Sequence, residues 1–240
     1  MAARRVVERY GVADTLLLFA DTKIEDADAY RFLDEAAANV GAELVKIAEG
    51  RDPWQVFNDR HFLSNSRVDH CSQYLKRDLL HGWMVEHFTP ETATLVVGID
   101  WTEEHRLTRL RERRKTWQIE APMCEPPYLT KVMMLDELAK QGIEIPKLYR
   151  LGFAHNNCGG FCVKAGIGHF VHLLRTIPDV YAYHEGREQE IRRTLGNVAI
   201  LKDRRGGTTR PMTLKELRER VQANEQFDMF DVGGCGCAVN

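Results

Sequence analysis

The chain has 240 residues, 44% of them hydrophobic, and its 33 basic and 35 acidic side chains give a net charge of −2. That length suits one large domain or a domain with a small appendage, and the charge balance excludes a general affinity for polyanions while leaving local basic stretches open. No apolar run approaches the ~18 residues of a membrane span, and "MAARRVVERYG" is basic without the apolar stretch of a secretory signal, so a cytoplasmic protein with no membrane partner is expected.

Apolar runs alternate with helical patterns from the start. "ARRVVERYG" predicts a short helix ended by Gly11. "TLLLFADT" reads as a buried parallel strand closed by a polar pair. The helix expected over "DADAYRFLDEAAANVG" places Ala29, Phe32, Leu33, Ala36 and Val40 on one face and stops at Gly41. "ELVKIAEG" predicts a second strand, and "DPWQVFNDR" a short helix with Pro53 in its first turn. "SQYLKRDLLHGWMVEHF" reads as a helix that Ser72 can cap, "ATLVVGID" as another strand, and "WTEEHRLTRLRERRK" as a charged helix.

Strands alternating with helices predict an α/β fold with a mostly parallel sheet flanked by helices. Ligands of such sheets sit beyond the carboxyl ends of the strands, where Asp21 with Thr22, the segment after Ile47, and Asp100 with Glu103 fall. A helix follows the proline pair in "EPPYLTKVMMLDELAKQG". The remainder is expected to be helical and irregular, through "AGIGHFVHLLRTI", "DVYAYHEGREQEIRRTL" and "TLKELRERVQ", with "KDRRGGTTRP" as an exposed loop. The division expected is an α/β nucleotide-binding-like core over 1–150 and a helical C-terminal part with a Cys-rich turn and tail over 151–240.

Six cysteines in a reducing compartment point to metal or catalysis rather than disulfides. "HNNCGGFCVKAG" carries Cys158 and Cys162 around two glycines, and "GGCGC" near the end carries Cys235 and Cys237. Thiolates are soft donors, and four of them can close a tetrahedral zinc site or hold an iron–sulfur cluster; ordinary reduced thiols in a turn and a tail are the plain alternative. Cys71 is a further candidate ligand or nucleophile because a helix start favours the thiolate, whereas Cys124 reads as core. His81, His87, His105, His169 and His172 fall in helical patterns, and the spacing of His169 and His172 is better read as packing than as a ligand pair. "RLTRLRERRK" is a solvated helix face or a contact for phosphate or nucleic acid.

The order of these pieces resembles the phosphoadenosine-phosphosulfate reductase family. "LLLFADTKIEDADAYRFLDEAA" is similar to its second strand and helix, "DHCSQYLKRDLL" to its Cys-Ser/Thr-x-x-Leu-Lys element, and "LVVGIDWTEEHRLTRL" to its Gly-Ile-Arg-x-Asp-Glu-Ser-x-x-Arg turn. "APMCEPPYLTKVMMLDELAKQGIEIPKLYRLGFAHNNCGGFC" resembles the segment that leads to its cysteines, so the likeness runs from about Leu16 to Cys162. The motifs are individually loose and specific in their order.

The resemblance implies a Rossmann-like fold of the adenine-nucleotide α-hydrolase-like (PP-loop) superfamily, which includes sulfur-transfer and adenylating enzymes. It implies an adenine nucleotide, ATP or phosphoadenosine phosphosulfate, near Asp21 and Thr22. Lys76, Arg106 and Arg109 would meet its oxyanions, and Asp100 and Glu103 would shape the active-site turn. Cys158, Cys162, Cys235 and Cys237 would hold a [4Fe-4S] cluster or zinc, with Cys71 as a further candidate, and a redox or sulfur-acceptor partner would be needed. The C-x3-C spacing departs from the family's commoner C-x2-C, and "GGCGC" stands where a reductase carries Glu-Cys-Gly-x-His. These features are closer to phage and mobile-element relatives than to the reductases proper. The family's Ser-Gly-Gly-x-x-Ser phosphate loop has no counterpart before Asp21; a start at an internal methionine of a longer frame is the favoured reading, a loop-less lineage the other. Two further function classes are a non-catalytic, metal-stabilised module that binds nucleic acid or a protein partner, and a thiol oxidoreductase that uses Cys235 and Cys237 as a redox pair.

Overall fold

A computed structural model describes residues 1–234. The protein is a mixed α/β chain in which helices predominate. The first helix, α1 (Ala2–Tyr10), ends at Gly11 with φ +88°. It leads to β1 (Leu16–Asp21), then α2 (Ala27–Val40) and β2 (Glu43–Ala48). Asp26 caps α2 by accepting the Asp28 N–H, and Gly41 ends it in the left-handed conformation that glycine adopts without a Cβ penalty. In α3 (Pro53–Asp59), Asp52 and Gln55 form a reciprocal capping box ahead of Pro53.

The next helical run begins earlier than the sequence suggests. It comprises α4 (His70–Ser72), a π-helical stretch Gln73–Asp78 and α5 (Leu79–His87). Ser72 is therefore not a cap: it lies inside the run, buried. The π stretch, a geometry that recurs at functional sites, carries both Lys76 and Arg77. After β3 (Leu95–Val96), Asp100 caps a 3₁₀ turn, Trp101–Glu103, that feeds α6 (Glu104–Arg113). Then come β4 (Ile119–Glu120), α7 (Lys131–Lys140) capped by Thr130, and α8 (Lys147–Arg150). The C-terminal part contains α9 (Ile167–Thr176), α10 (Pro178–Leu195), β5 (Leu201–Asp203), β6 (Arg210–Met212) and α11 (Leu214–Gln222).

The strands form two separate parallel pairs, β1 with β2 and β3 with β4, and one antiparallel pair, β5 with β6. β1 runs in register with β2 from Leu16 opposite Glu43 to Asp21 opposite Ala48. The apolar run that predicts a fully buried strand gives one buried residue, Ala20, and Leu16 is exposed, because β1 has a neighbour on one edge only. "ATLVVGID" likewise contributes just Leu95 and Val96 to a ladder. "KDRRGGTTRP" is exposed over Arg204, Arg205 and Thr208 to Pro211, as expected, but its ends are paired. It forms the hairpin β5–β6, whose buried Asp203 accepts from Arg205, Arg210 and Arg220.

Two apolar clusters hold the chain. The larger joins Trp54, Phe57, Leu63 and Leu148 to Phe161, Phe170, Leu173, Tyr181, Leu214 and Leu217. The smaller packs Leu107 and Leu110 of α6 against Ile99, Trp117 and Ile119. No helix among the described residues is long and apolar enough to cross a membrane.

Candidate functional site

The loop that leaves β1 at its carboxyl end supplies the first polar groups. Thr22 is buried, and its hydroxyl donates to Glu25 Oε1 at 3.1 Å. Asp21 accepts from the Tyr30 hydroxyl at 2.7 Å and from the backbone N and Nζ of Lys23 at 2.8 and 3.0 Å. Burial pushes the Asp21 carboxyl upward, but those hydrogen bonds outweigh it and hold the pKa below the ordinary value. Burial, with Asp21 next to it, raises the Tyr30 hydroxyl.

Glu25 is the hub of this loop. Its side chain is 5% exposed, a cost that three donors offset: the Thr22 hydroxyl, Lys76 Nζ at 3.4 Å, and the backbone N–H of Cys158. The Cys158 turn follows from its glycines. Cys158, Gly159 and Gly160 all have positive φ, +53°, +60° and +86°. A Cβ on Gly159 would stand 2.6 Å from the Ile24 carbonyl oxygen, so only glycine lets the turn lie against the β1 loop. For Cys158 the same backbone region costs on the order of 1 kcal/mol. His169 Nε2 lies 2.7 Å from the Gly160 carbonyl oxygen and fixes the turn from α9. Phe161 enters the core, stacked on His184 with ring centroids 3.8 Å apart and on Trp54 at 5.4 Å.

Cys71, Cys158 and Cys162 line one narrow cavity of about 20 Å³ with Thr22, Ser72, Lys76 and Asp69. Of the residues expected at the site, Thr22, Lys76, Cys71, Cys158 and Cys162 thus come together. Asp69 pairs with Arg77 and with Lys164, each at 3.3 Å, so the rim carries both signs of charge. Among the described residues no group of three or more His, Cys, Asp and Glu side chains is arranged to hold a metal ion. The donor chemistry of the cavity is that of soft thiols, which suits zinc or an iron–sulfur cluster, and a closed site needs ligands beyond the described ones. Cys235 and Cys237 lie outside the described residues. The chain leading to them packs against the segment that follows Cys162: Gly233 bridges Ala165, Gly234 N donates to Lys164 O at 3.4 Å, and Gly168 N donates to Asp231 O at 2.8 Å. Gly166 and Gly168 permit that approach, since a Cβ there would stand 2.2 Å from Asp231 Oδ1 or 2.7 Å from the Met229 carbonyl oxygen.

The remaining expected residues are elsewhere. Arg106 and Glu103 form an ion pair on the wall of a groove of about 1150 Å³ between β1 and β3, and Arg106 Nε is buried with no hydrogen-bond partner among the described residues. Asp100 caps the turn before α6 by accepting the Thr102 N–H at 2.8 Å. Arg109 is exposed on α6 and lines neither cavity. His169 and His172 contact different carbonyls, Gly160 and Leu151, each at 2.7 Å, as packing residues do. Cys124 is half-buried; its thiol donates to Ile99 O, and burial raises its pKa. Glu25, Asp69, Lys164 and Tyr30 are participants that the sequence reading missed. Glu25 had a detectable signal, since it stands four residues past Asp21 in the loop beyond a strand's carboxyl end. Comparisons with protein-family models, with curated proteins and with solved structures gave no match to this chain.

Proposed function

We propose that the chain is a phosphoadenosine-phosphosulfate reductase-like or sulfur-transfer enzyme of a reducing cytoplasm. It would bind an adenine nucleotide at the carboxyl end of β1 beside a cysteine-ligated centre. Cys158 and Cys162, with Cys235 and Cys237 from the tail, would hold that centre, and Cys71 stands at its edge. A cluster would supply redox capacity, and zinc would supply a structural clamp. Lys76, in the thiol-lined cavity, would meet an oxyanion of the nucleotide, and Arg106, on the wall of the neighbouring groove, would be a second candidate. The two parallel strand pairs would belong to one Rossmann-like, mostly parallel sheet.

The observation that supports this reading is the meeting of three thiols with Thr22 and Lys76 where β1 ends. Sheet ligands bind at that end of strands, and the tail is anchored at Gly233 and Gly234 against Ala165 and Lys164, just past Cys162 in the chain. The test is anaerobic purification with iron, sulfide and zinc analysis, followed by titration with ATP and with phosphoadenosine phosphosulfate. Brown protein that loses its iron in C158S and C162S and binds a nucleotide saturably, more weakly in K76A, is the expected result. Colourless protein that holds zinc and ignores both nucleotides would transfer the reading to a metal-stabilised module. Protein with no metal at all would remove the cysteine-ligated centre.

A further inference from the structure

α6 and the residues just past it carry an unbalanced charge. From Glu104 to Trp117 there are six arginine and lysine side chains and two glutamates, in a chain whose net charge is −2. Arg106 pairs with Glu103, and Arg111 donates to the Ile119 carbonyl oxygen at 3.1 Å. Arg109, Arg113, Arg114 and Lys115 make no side-chain ion pair or hydrogen bond among the described residues. Elsewhere Arg31, Arg51 and Arg220 are each held by two or more carboxylates. Cations at a helix C-terminus complement its dipole, an effect confined to the last turn. It accounts for Arg111 and Arg113, but not for Arg109 or for Lys115 beyond the cap. Burial lowers the Arg114 pKa, and Asp78 offsets only part of that, so this guanidinium is a cation short of solvent and of counter-charge.

Aromatic rings lie beside these cations. Trp83 in α5 and Phe88 just past it line the same groove as Arg113, Arg114 and His81. Trp83 stacks on His87 with ring centroids 4.1 Å apart, and its ring lies 5.9 Å from that of Phe88. Arg109 stands four positions before Arg113 and continues the same helix face, and both are exposed. Guanidinium groups set along aromatic rings suit a single nucleic-acid strand, whose phosphates meet cations while its unpaired bases stack. A duplex keeps its base faces inside and would leave the rings unused. A lipid surface fits poorly, because α6 has already committed its apolar side: Leu107 and Leu110 pack on Ile99, Trp117 and Ile119. A helix that lies in a membrane interface needs that side for the acyl chains.

We infer that the C-terminal end of α6, with Trp83 and Phe88 beside it, binds a single strand of nucleic acid. Arg109, Arg113, Arg114 and Lys115 hold its phosphates, and the rings take its bases. This does not rest on the nucleotide or metal reading. The test is fluorescence anisotropy with labelled RNA and DNA strands of ~12 nucleotides and a duplex of equal length, read from ~50 to ~200 mM salt. About four engaged phosphates give a slope near −3 in log affinity against log salt, or roughly 50-fold weaker binding over that range. R109E/R113E is expected to weaken binding at least ~10-fold and to flatten the slope by about 1.4. W83L is expected to weaken it ~5–50-fold and leave the slope alone. K76A, which tests the nucleotide reading, and R193E, on the exposed side of α10, leave both unchanged. Circular dichroism and thermal unfolding report that each variant is folded. No saturable binding at ~50 mM salt would overturn the inference, and capture by phosphatidylserine vesicles in its place would make a membrane the partner. Native affinity in R109E/R113E or in a folded W83L would overturn it, as would tighter binding to the duplex. A loss in K76A as large as in R109E/R113E would put the strand in the thiol-lined cavity and overturn it too.

Discussion

Glu25 accepts the backbone N–H of Cys158, a residue 133 positions away, and so ties the loop after β1 to the cysteine turn. The same carboxylate holds Lys76 and Thr22. A buried carboxylate with three donors is a structural commitment: when one partner is removed, the others keep their desolvation cost.

Replacing Glu25 by Gln tests that commitment. The amide keeps one acceptor oxygen, loses the charge opposite Lys76, and turns an NH2 toward a donor. The expected cost is about 2–4 kcal/mol in urea unfolding, with faster labelling of the Cys158 thiol by an alkylating reagent. Unchanged stability and labelling would mean that the cysteine turn stands without Glu25.

Gly159 gives a sharper steric test. At φ +60° a Cβ would meet the Ile24 carbonyl oxygen at 2.6 Å, a backbone atom that cannot rotate away. Gly159→Ala is expected to cost more than the ~1 kcal/mol of a left-handed alanine, because the turn and the β1 loop must separate. The same substitution at Gly186, where nothing lies within 4 Å, serves as the control and is expected to be neutral or mildly stabilising, since alanine is the better helix former. Thermal unfolding of the two variants compares them directly.

Local signals were the legible part of this fold. Gly11, Gly41 and Pro53 mark helix ends through their own backbone chemistry at the expected places, and Asp52 and Thr130 cap helices as well, by accepting the Gln55 and Met133 N–H groups. Ser72 carried the same kind of signal and is buried mid-run instead, because the helix is extended backward to His70. β3 is shorter than its apolar run because such a run records burial, whereas strand length depends on a pairing edge supplied by β4, more than twenty positions along the chain. The thiols could be chosen from their glycine context, but the part played by Glu25 depends on contacts across the molecule that spacing does not encode. Arg106 and Arg109 illustrate the same limit: three residues apart on one helix, one faces the groove and the other solvent.

His184 makes a prediction about acid. It stacks on Phe161 and accepts from Trp54 Nε1 at 3.0 Å, and burial, with a smaller push from Arg187, lowers its pKa to about 3. The unfolded chain protonates this ring near its ordinary value of 6.5 while the folded one does not, so its contribution to stability is complete above pH 6.5 and is lost as pH falls toward 3. Between pH 6.5 and 5 the loss is on the order of 2 kcal/mol. His184→Phe keeps the stacking, strands the Trp54 N–H at a cost of about 1–3 kcal/mol, and removes this acid sensitivity. A urea midpoint whose pH profile between 6.5 and 5 is the same in the variant as in the native chain would remove the His184 assignment.

One helical turn further along α10, Glu188 has the opposite sign. It is fully buried, its two oxygens accept from Ile200 N at 3.1 Å and Leu214 N at 2.6 Å, and burial outweighs those bonds to raise its pKa to about 7. The folded state holds this proton up to about pH 7, whereas the unfolded state releases it near 4.5. Stability from Glu188 is therefore complete below pH 4.5 and is lost as pH rises to 7, by about 3 kcal/mol. Over the shared window from 4.5 to 6.5 the His184 and Glu188 slopes oppose each other, and the native chain should show a nearly flat stability profile there. The single variants separate them. His184→Phe should gain stability as pH falls from 7 to 4.5, and Glu188→Gln should lose it, on top of a constant penalty for turning an NH2 toward a backbone N–H. Urea midpoints at half-unit intervals from pH 4.5 to 7.5 measure all three profiles, and parallel curves for the two variants would exclude both assignments.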